Sequence, residues 1–131
     1  MKSLLVILII TSVFYSDNHL INWNQDRKIT WKDFKKVKIL EGQEAAKIHV
    51  ATSSEFEFEM GYLNIEINAY IDPRKSYVID GSESDHLLAH EQLHFDIQEV
   101  FARKIRKRMQ ETQFVFDDLS KDLNKIFKSE M

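Results

Sequence analysis

The chain has 131 residues, of which 44% are hydrophobic and 30% are charged, and its formal net charge is -3. This length leaves room for one domain with a modest core. The mild acidity gives no bulk attraction for nucleic acid, so no nucleic-acid partner is expected. The absence of cysteine excludes disulfides and thiolate ligands, so any metal site must use histidine and carboxylate side chains.

The N-terminus has the pattern of a secretory signal peptide. Lys2 is followed by an apolar run of about a dozen residues, which is too short to span a bilayer comfortably. We therefore expect a signal peptide over residues 1–16, a single domain over residues 17–131, and a secreted or periplasmic protein. No pair of small residues typical of a cleavage site precedes Ser16 or Asp17, so an uncleaved membrane anchor is the alternative.

The next segment is charged, with a few large apolar residues. Thr30 can cap a short helix or turn that begins near Trp31. Trp31 and Phe34 have the bulk to fill one end of the core, and neither indicates chemistry on its own.

Alternating residues then predict a small sheet. Residues 45–52 form a candidate first strand. Phenylalanines alternate with glutamates over 55–59, and apolar with polar residues over 63–70, which is typical of a half-buried hairpin. Turn residues and a short third strand over 76–80 follow, and the sheet then leads into a long helix.

The longest regular pattern covers residues 85–110. This stretch contains no glycine or proline, and its apolar residues largely recur every three or four positions, which predicts an amphipathic helix. Leu88, Leu93, Phe95 and Ile97 lie beside the central residues of this pattern. They indicate a half-buried helix that lines a cleft.

Residues 90–94 of this helix read HEQLH, an HExxH motif. His90 and His94 are one turn apart on one face, where both imidazoles can bind one zinc ion. Glu91 lies at the edge of that face and can act as general base and acid on a water molecule polarised by the ion. The motif therefore predicts Zn²⁺ as cofactor and hydrolysis of a peptide or protein substrate. The alternative is two surface histidines with a solvated glutamate between them.

The long helix ends in a basic run over residues 103–108. We assign this run to the solvent-facing C-terminus of the helix rather than to a phosphate or membrane patch. Glu99 and Arg103 are four residues apart and can form an ion pair on the helix surface. After a turn near Thr112, apolar residues predict a closing helix over about residues 117–128, folded back on the first.

Three strings of this sequence together resemble a known family. They are ITWKDF at residues 29–34, the Ser76-Tyr77 pair, and HEQLHFDI at residues 90–97 followed by Glu99, Ala102 and Arg103. Over residues 22–108 the chain is similar to a bacterial domain-of-unknown-function family described as predicted secreted zinc-dependent proteases. The resemblance implies bound zinc, a secreted or periplasmic setting and peptidase activity. This chain departs from the pattern at Tyr77, where the family has tryptophan.

The sequence leaves the third zinc ligand open. A catalytic zinc site usually has three protein ligands, and the position of the late histidine in the extended motif is Val100 here. Glu99 points about 180° away from His90 on an unbroken helix. His86 is two turns from His94, which is too far for one ion. The remaining candidates are His49 and four acidic residues after the motif: Glu111, Asp117, Asp118 and Asp122.

We therefore predict an α+β domain, in which a small antiparallel β-sheet packs on a long α-helix that bears the HExxH motif, with a closing C-terminal helix. The predicted function is that of a secreted zinc-dependent metallopeptidase-like hydrolase. His90 and His94 are its metal ligands, and Glu91 is its catalytic residue. The alternatives are a non-catalytic zinc-stabilised binding domain and an envelope-associated interaction protein.

Overall fold

The computed structural model describes residues 19–39, 42–59, 62–111 and 119–130. The predicted signal peptide, the turn near Thr112 and the first residues of the predicted closing helix lie outside these ranges. Within them the chain forms six strands and two α-helices: β1 (Ile21–Asn22), β2 (Lys35–Val37), β3 (Ala46–Lys47), β4 (Val50–Glu59), β5 (Tyr62–Ile71), β6 (Tyr77–Ile79), α1 (Asp85–Glu111) and α2 (Leu119–Glu130). A 3₁₀ helix at Trp31–Asp33 precedes β2, at the place where a short helix or turn was predicted. No helix in the described ranges is long and apolar enough to cross a bilayer.

The strands form two sheets of three strands each. In the first, β5 lies between β1 and β4 and is antiparallel to both. In the second, β6 lies between β2 and β3, and it is parallel to β2 and antiparallel to β3. The predicted α+β class is confirmed, with a long helix and a C-terminal helix beside small sheets.

Among the described residues of the β4–β5 hairpin, the buried ones lie in the second half of β5. Ile67, Ala69 and Ile71 of β5 are 2%, 1% and 0% exposed. The alternation over 55–59 predicted a half-buried strand, but Phe56 is 40% exposed. A ten-residue strand is about 33 Å long, and β4 extends from half-buried Val50 to the part that carries exposed Phe56.

Helix α1 buries one face, and this face includes two glutamates. Its buried residues recur every three or four positions: Glu91, Phe95, Glu99, Ala102, Ile105 and Met109. The sequence had grouped Leu93 and Ile97 with Phe95, but they are 56% and 45% exposed. Residues two apart on a helix differ by about 200° in direction, so neither can share the buried face of Phe95.

The buried Glu99 carboxylate forms an ion cluster with two arginines of the same helix, whose side chains are 59% and 37% exposed. Its Oε1 accepts hydrogen bonds from Arg103 Nε at 3.0 Å and from Arg106 Nη2 at 2.8 Å. Arg106 also donates from Nε to the carbonyl oxygen of Ile67 on β5, at 3.0 Å. The predicted Glu99–Arg103 ion pair is present, but Glu99 is only 6% exposed and is not a surface residue.

A chain of hydrogen bonds ties the N-terminal segment to the middle of α1. Gln92 accepts a hydrogen bond from the backbone N–H of Ile29 at 2.9 Å and donates one to Asp96 at 2.8 Å. Trp23 Nε1 donates to the same Asp96 oxygen at 2.9 Å. The N-terminal segment is therefore bound to Gln92 and Asp96, which lie on a side of α1 away from His90 and His94.

The turn between β5 and β6 is organised by Asp72, which is 4% exposed. Its Oδ1 accepts a hydrogen bond from the Arg74 backbone N–H at 2.9 Å and lies 3.3 Å from His19 Nε2. Burial acts to raise the pKa of this carboxyl, but the Arg74 hydrogen bond and the charges of His19 and Arg74 outweigh it, so the pKa lies below its usual value.

We expect acid to weaken the fold through Asp72. A folded pKa below the unfolded value of about 3.9 gives stability that is present above that value and is lost as the pH falls through the folded pKa. Asp72→Asn should therefore flatten the fall in unfolding free energy below about pH 4, measured by urea unfolding. Asp26→Asn, which changes an exposed aspartate, is the control. If the unfolding free energy of Asp72→Asn fell as steeply below about pH 4 as that of the wild type, Asp72 would not be the source of the acid sensitivity.

Candidate metal centre

His90 and His94 converge on the exposed side of α1. Their Nε2 atoms are 3.1 Å apart, and the ring centroids are 4.7 Å apart with the rings nearly perpendicular. The helix brings them together because residues four apart lie one above the other on one face. The geometry agrees with the pairing that the motif predicts.

The separation of these two nitrogens fits a zinc ion. Two zinc–nitrogen bonds of about 2.0–2.1 Å at a tetrahedral angle place their nitrogens about 3.3 Å apart. The observed distance of 3.1 Å is close to this value, and a small movement of either ring would make the two distances equal. In the absence of an ion, one imidazole can donate a hydrogen bond to the other across the same gap.

The Glu91 carboxylate is held by the chain segment opposite the helix. It is 4% exposed, and its Oε2 accepts a hydrogen bond from the backbone N–H of Ile48 at 3.0 Å. No buried side-chain oxygen or nitrogen in the described ranges lacks a hydrogen-bond partner. Since Oε1 of Glu91 has no partner within them, it must be accessible from the adjoining cleft. One oxygen is thus fixed and the other is available.

A cleft of about 430 Å³ joins the three motif residues. One wall is the first half of α1, with Leu87, His90, Glu91 and His94. The other wall is strand β3 and its flanks, which extend from Glu44 to Ile48, with Val50 beyond them. The cleft therefore lies between the helix that bears the motif and the outer strand of the second sheet.

The outer edge of β3 faces this cleft. Ile79 N–H donates to the Ala45 carbonyl at 2.8 Å, which makes this a hydrogen-bonded pair of the antiparallel β3–β6 ladder. The N–H and C=O groups of the next residue, Ala46, must then point away from β6, because the direction alternates along such a ladder. Ile48 N–H points the same way and reaches Glu91. The edge of β3 is thus packed against α1, with the Ile48 donor bound to Glu91 and Ala46 only 5% exposed.

Two of the candidates that the sequence offered for a third ligand, His49 and Glu111, do not line this cleft. His49 is half-buried and is not among the lining residues. Glu111 is at the far end of α1, about 30 Å along the axis from His90. Asp117 and Asp118 lie outside the described residues, and Asp122 is on α2. Across the described ranges, no three histidine, aspartate or glutamate side chains come close enough together to hold a metal ion.

Glu44 is the acidic lining residue that sequence reasoning missed. It is exposed and lies on the β3 side of the cleft, opposite the histidines. Its only signal in the sequence is a carboxylate just before the predicted strand over 45–52. That signal does not reveal the proximity to α1, which arises from the packing of β3 against the helix.

Comparison with known proteins gave no match. No family model matches the chain, and neither a curated protein nor a solved structure does.

Proposed function

We propose that the protein is a zinc-dependent metallopeptidase-like hydrolase that acts outside the cytoplasm. The observation that carries this proposal is the convergence of His90 and His94 Nε2 at 3.1 Å, in a cleft that also contains the Glu91 carboxylate. The resemblance of the HEQLHFDI string to predicted secreted zinc-dependent proteases supports the same function, and the signal-like N-terminus supports the location.

His90 and His94 would hold the ion, and Glu91 would move the proton. A bound zinc ion supplies a Lewis acid that polarises a carbonyl group and lowers the pKa of water. The Ile48 N–H holds one oxygen of Glu91 in place, so the other oxygen is directed to the cleft. From there it can accept a proton from a water molecule and later deliver it to the leaving amine.

The shape of the cleft favours a peptide in extended conformation as substrate. An extended chain can add to a free sheet edge through backbone hydrogen bonds, which are independent of its side chains. Ala46 is only 5% exposed, and Ile48 N–H already binds Glu91. The open part of this wall is therefore at Glu44 and Ala45. Leu87 and Val50 give the cleft apolar surface.

Zinc content of the purified protein tests the proposal. We expect about one zinc per chain in the wild type, and a loss of most of it in His94→Ala, because a single imidazole does not retain the ion against a chelator. The measurement is elemental analysis after dialysis against a weak chelator.

His86→Ala is the matched control for this measurement. His86 is exposed on the same helix, one turn before His90, and is not a lining residue of the cleft. Its replacement should leave the zinc content unchanged. A wild type that holds no zinc after reconstitution would refute the metal site and the hydrolase with it.

A non-catalytic zinc-stabilised binding domain is the second candidate. The observation that favours it is an exposed apolar stripe on α1, formed by Leu93, Ile97 and Val100, which are 56%, 45% and 51% exposed. Such a stripe beside the histidines could bind a partner protein. Zinc binding without hydrolysis of any extended peptide would favour this function over the first.

A further inference from the structure

We infer that Glu44 is the third protein ligand of the zinc ion. This inference rests on the proposed metal site at His90 and His94 and completes it. Two imidazoles and one carboxylate are an established donor set for catalytic zinc, and they leave the fourth position open for water. Glu44 lies across the cleft from the two histidines, on the wall formed by β3.

The other carboxylates near the histidines are held in place by hydrogen bonds. Glu91 is buried and accepts from Ile48 N–H. Asp96 accepts from Trp23 and Gln92 on another side of the helix. Glu44, by contrast, is exposed and has neither a hydrogen-bond nor an ion-pair partner in the described part of the chain. Among the described residues that line the cleft, Glu91 and Glu44 carry carboxylates, and Glu44 is the exposed one that no hydrogen bond holds in place.

The backbone near Glu44 is fixed while its side chain is not. Gly42 adopts a φ of 81°, a left-handed conformation that glycine accepts without strain and that turns the chain towards β3. On the other side, the Ala45 carbonyl accepts a hydrogen bond from Ile79 N–H at 2.8 Å. Glu44 is therefore held on the wall of the cleft. Its carboxylate does not form a three-residue metal group with His90 and His94 in this structure, so zinc binding would require its side chain to rotate towards the pair.

Zinc affinity of the purified chain, measured by competition with a chromogenic chelator, tests this inference. Glu44→Gln should bind zinc at least about 10- to 100-fold more weakly than the wild type, since even groups that only support ligands have effects of that size. Glu44→His replaces one ligand by another and should restore binding. Glu57→Gln, which makes the same change at an exposed strand residue, should bind zinc like the wild type.

Thermal unfolding gives a second readout that does not depend on activity. Glu44 is exposed and has no partner among the described residues, so the metal-free Glu44→Gln variant should have the melting temperature of the wild type. Its gain in melting temperature on zinc addition should be smaller than that of the wild type. Wild-type zinc affinity in Glu44→Gln, together with loss of zinc in His94→Ala, would overturn this inference alone. A wild type that binds no zinc would overturn the proposed function as well.

Discussion

Replacement of Glu91 by glutamine is expected to reduce peptide hydrolysis by about 10²- to 10⁴-fold, the range that a general acid–base residue contributes. Glutamine keeps the size of the side chain and an oxygen that can accept the Ile48 hydrogen bond of 3.0 Å. It cannot take up a proton from water. Zinc content should therefore stay at the wild-type level while turnover falls, measured on a library of fluorescence-quenched short peptides.

Two further variants separate the chemical role of Glu91 from its structural role. Glu111→Gln makes the same change on an exposed residue at the end of α1 and should keep wild-type turnover. Glu91→Ala leaves Ile48 N–H without its acceptor, so it should also lose about 1–3 kcal/mol of unfolding free energy. Wild-type turnover in Glu91→Gln would show that Glu91 is not the base.

Removal of the buried Glu99 carboxylate should cause the largest loss of stability. Glu99→Ala leaves Arg106 beside the sheet without its counter-charge, and the loss of one partner of a fully buried pair costs about 3–5 kcal/mol. The Arg106 side chain is 37% exposed, so water can partly solvate it. We therefore expect a loss of about 2–4 kcal/mol, measured by urea unfolding of the metal-free protein.

The control for Glu99 is a salt bridge of the same kind on the surface of the same helix. Glu111 lies 4.0 Å from Lys107, and both side chains are more than half exposed. Glu111→Ala should change the unfolding free energy by less than about 0.5 kcal/mol. Equal effects of Glu99→Ala and Glu111→Ala would mean that the buried cluster contributes no more than a surface pair.

The sequence predicted well what local periodicity encodes. A helix was predicted over residues 85–110 and is observed at Asp85–Glu111, because its apolar residues recur at helical spacing without a breaker. The hairpin strands are observed at Val50–Glu59 and Tyr62–Ile71. They were predictable because apolar and polar residues alternate along them. The convergence of His90 and His94 also follows from helix geometry alone.

What could not be predicted depends on contacts between distant segments. The parallel pairing of β2 with β6 joins Lys35 to Tyr77, and no local pattern specifies that partner. No local pattern specifies the position of β3 beside α1 either, although this position brings Glu44 to the cleft and Ile48 to Glu91. Leu93 belongs to the apolar pattern of the helix, but its direction differs from that of buried Phe95 by about 200°, and it is 56% exposed.

The hydrogen bonds that join Trp23, Ile29, Gln92 and Asp96 bear on how related sequences should be interpreted. Ile29, Gln92 and Asp96 belong to the two strings on which the family resemblance mainly depends, and Trp23 lies just before the first of them. Their bonds hold segments of the fold together without touching the cleft. Their presence in another chain would indicate this architecture and would say nothing about chemistry. Only the combination of His90, His94 and Glu91 would indicate hydrolysis. Chains that keep the first set and lack the second would be expected to share the shape and to have no activity.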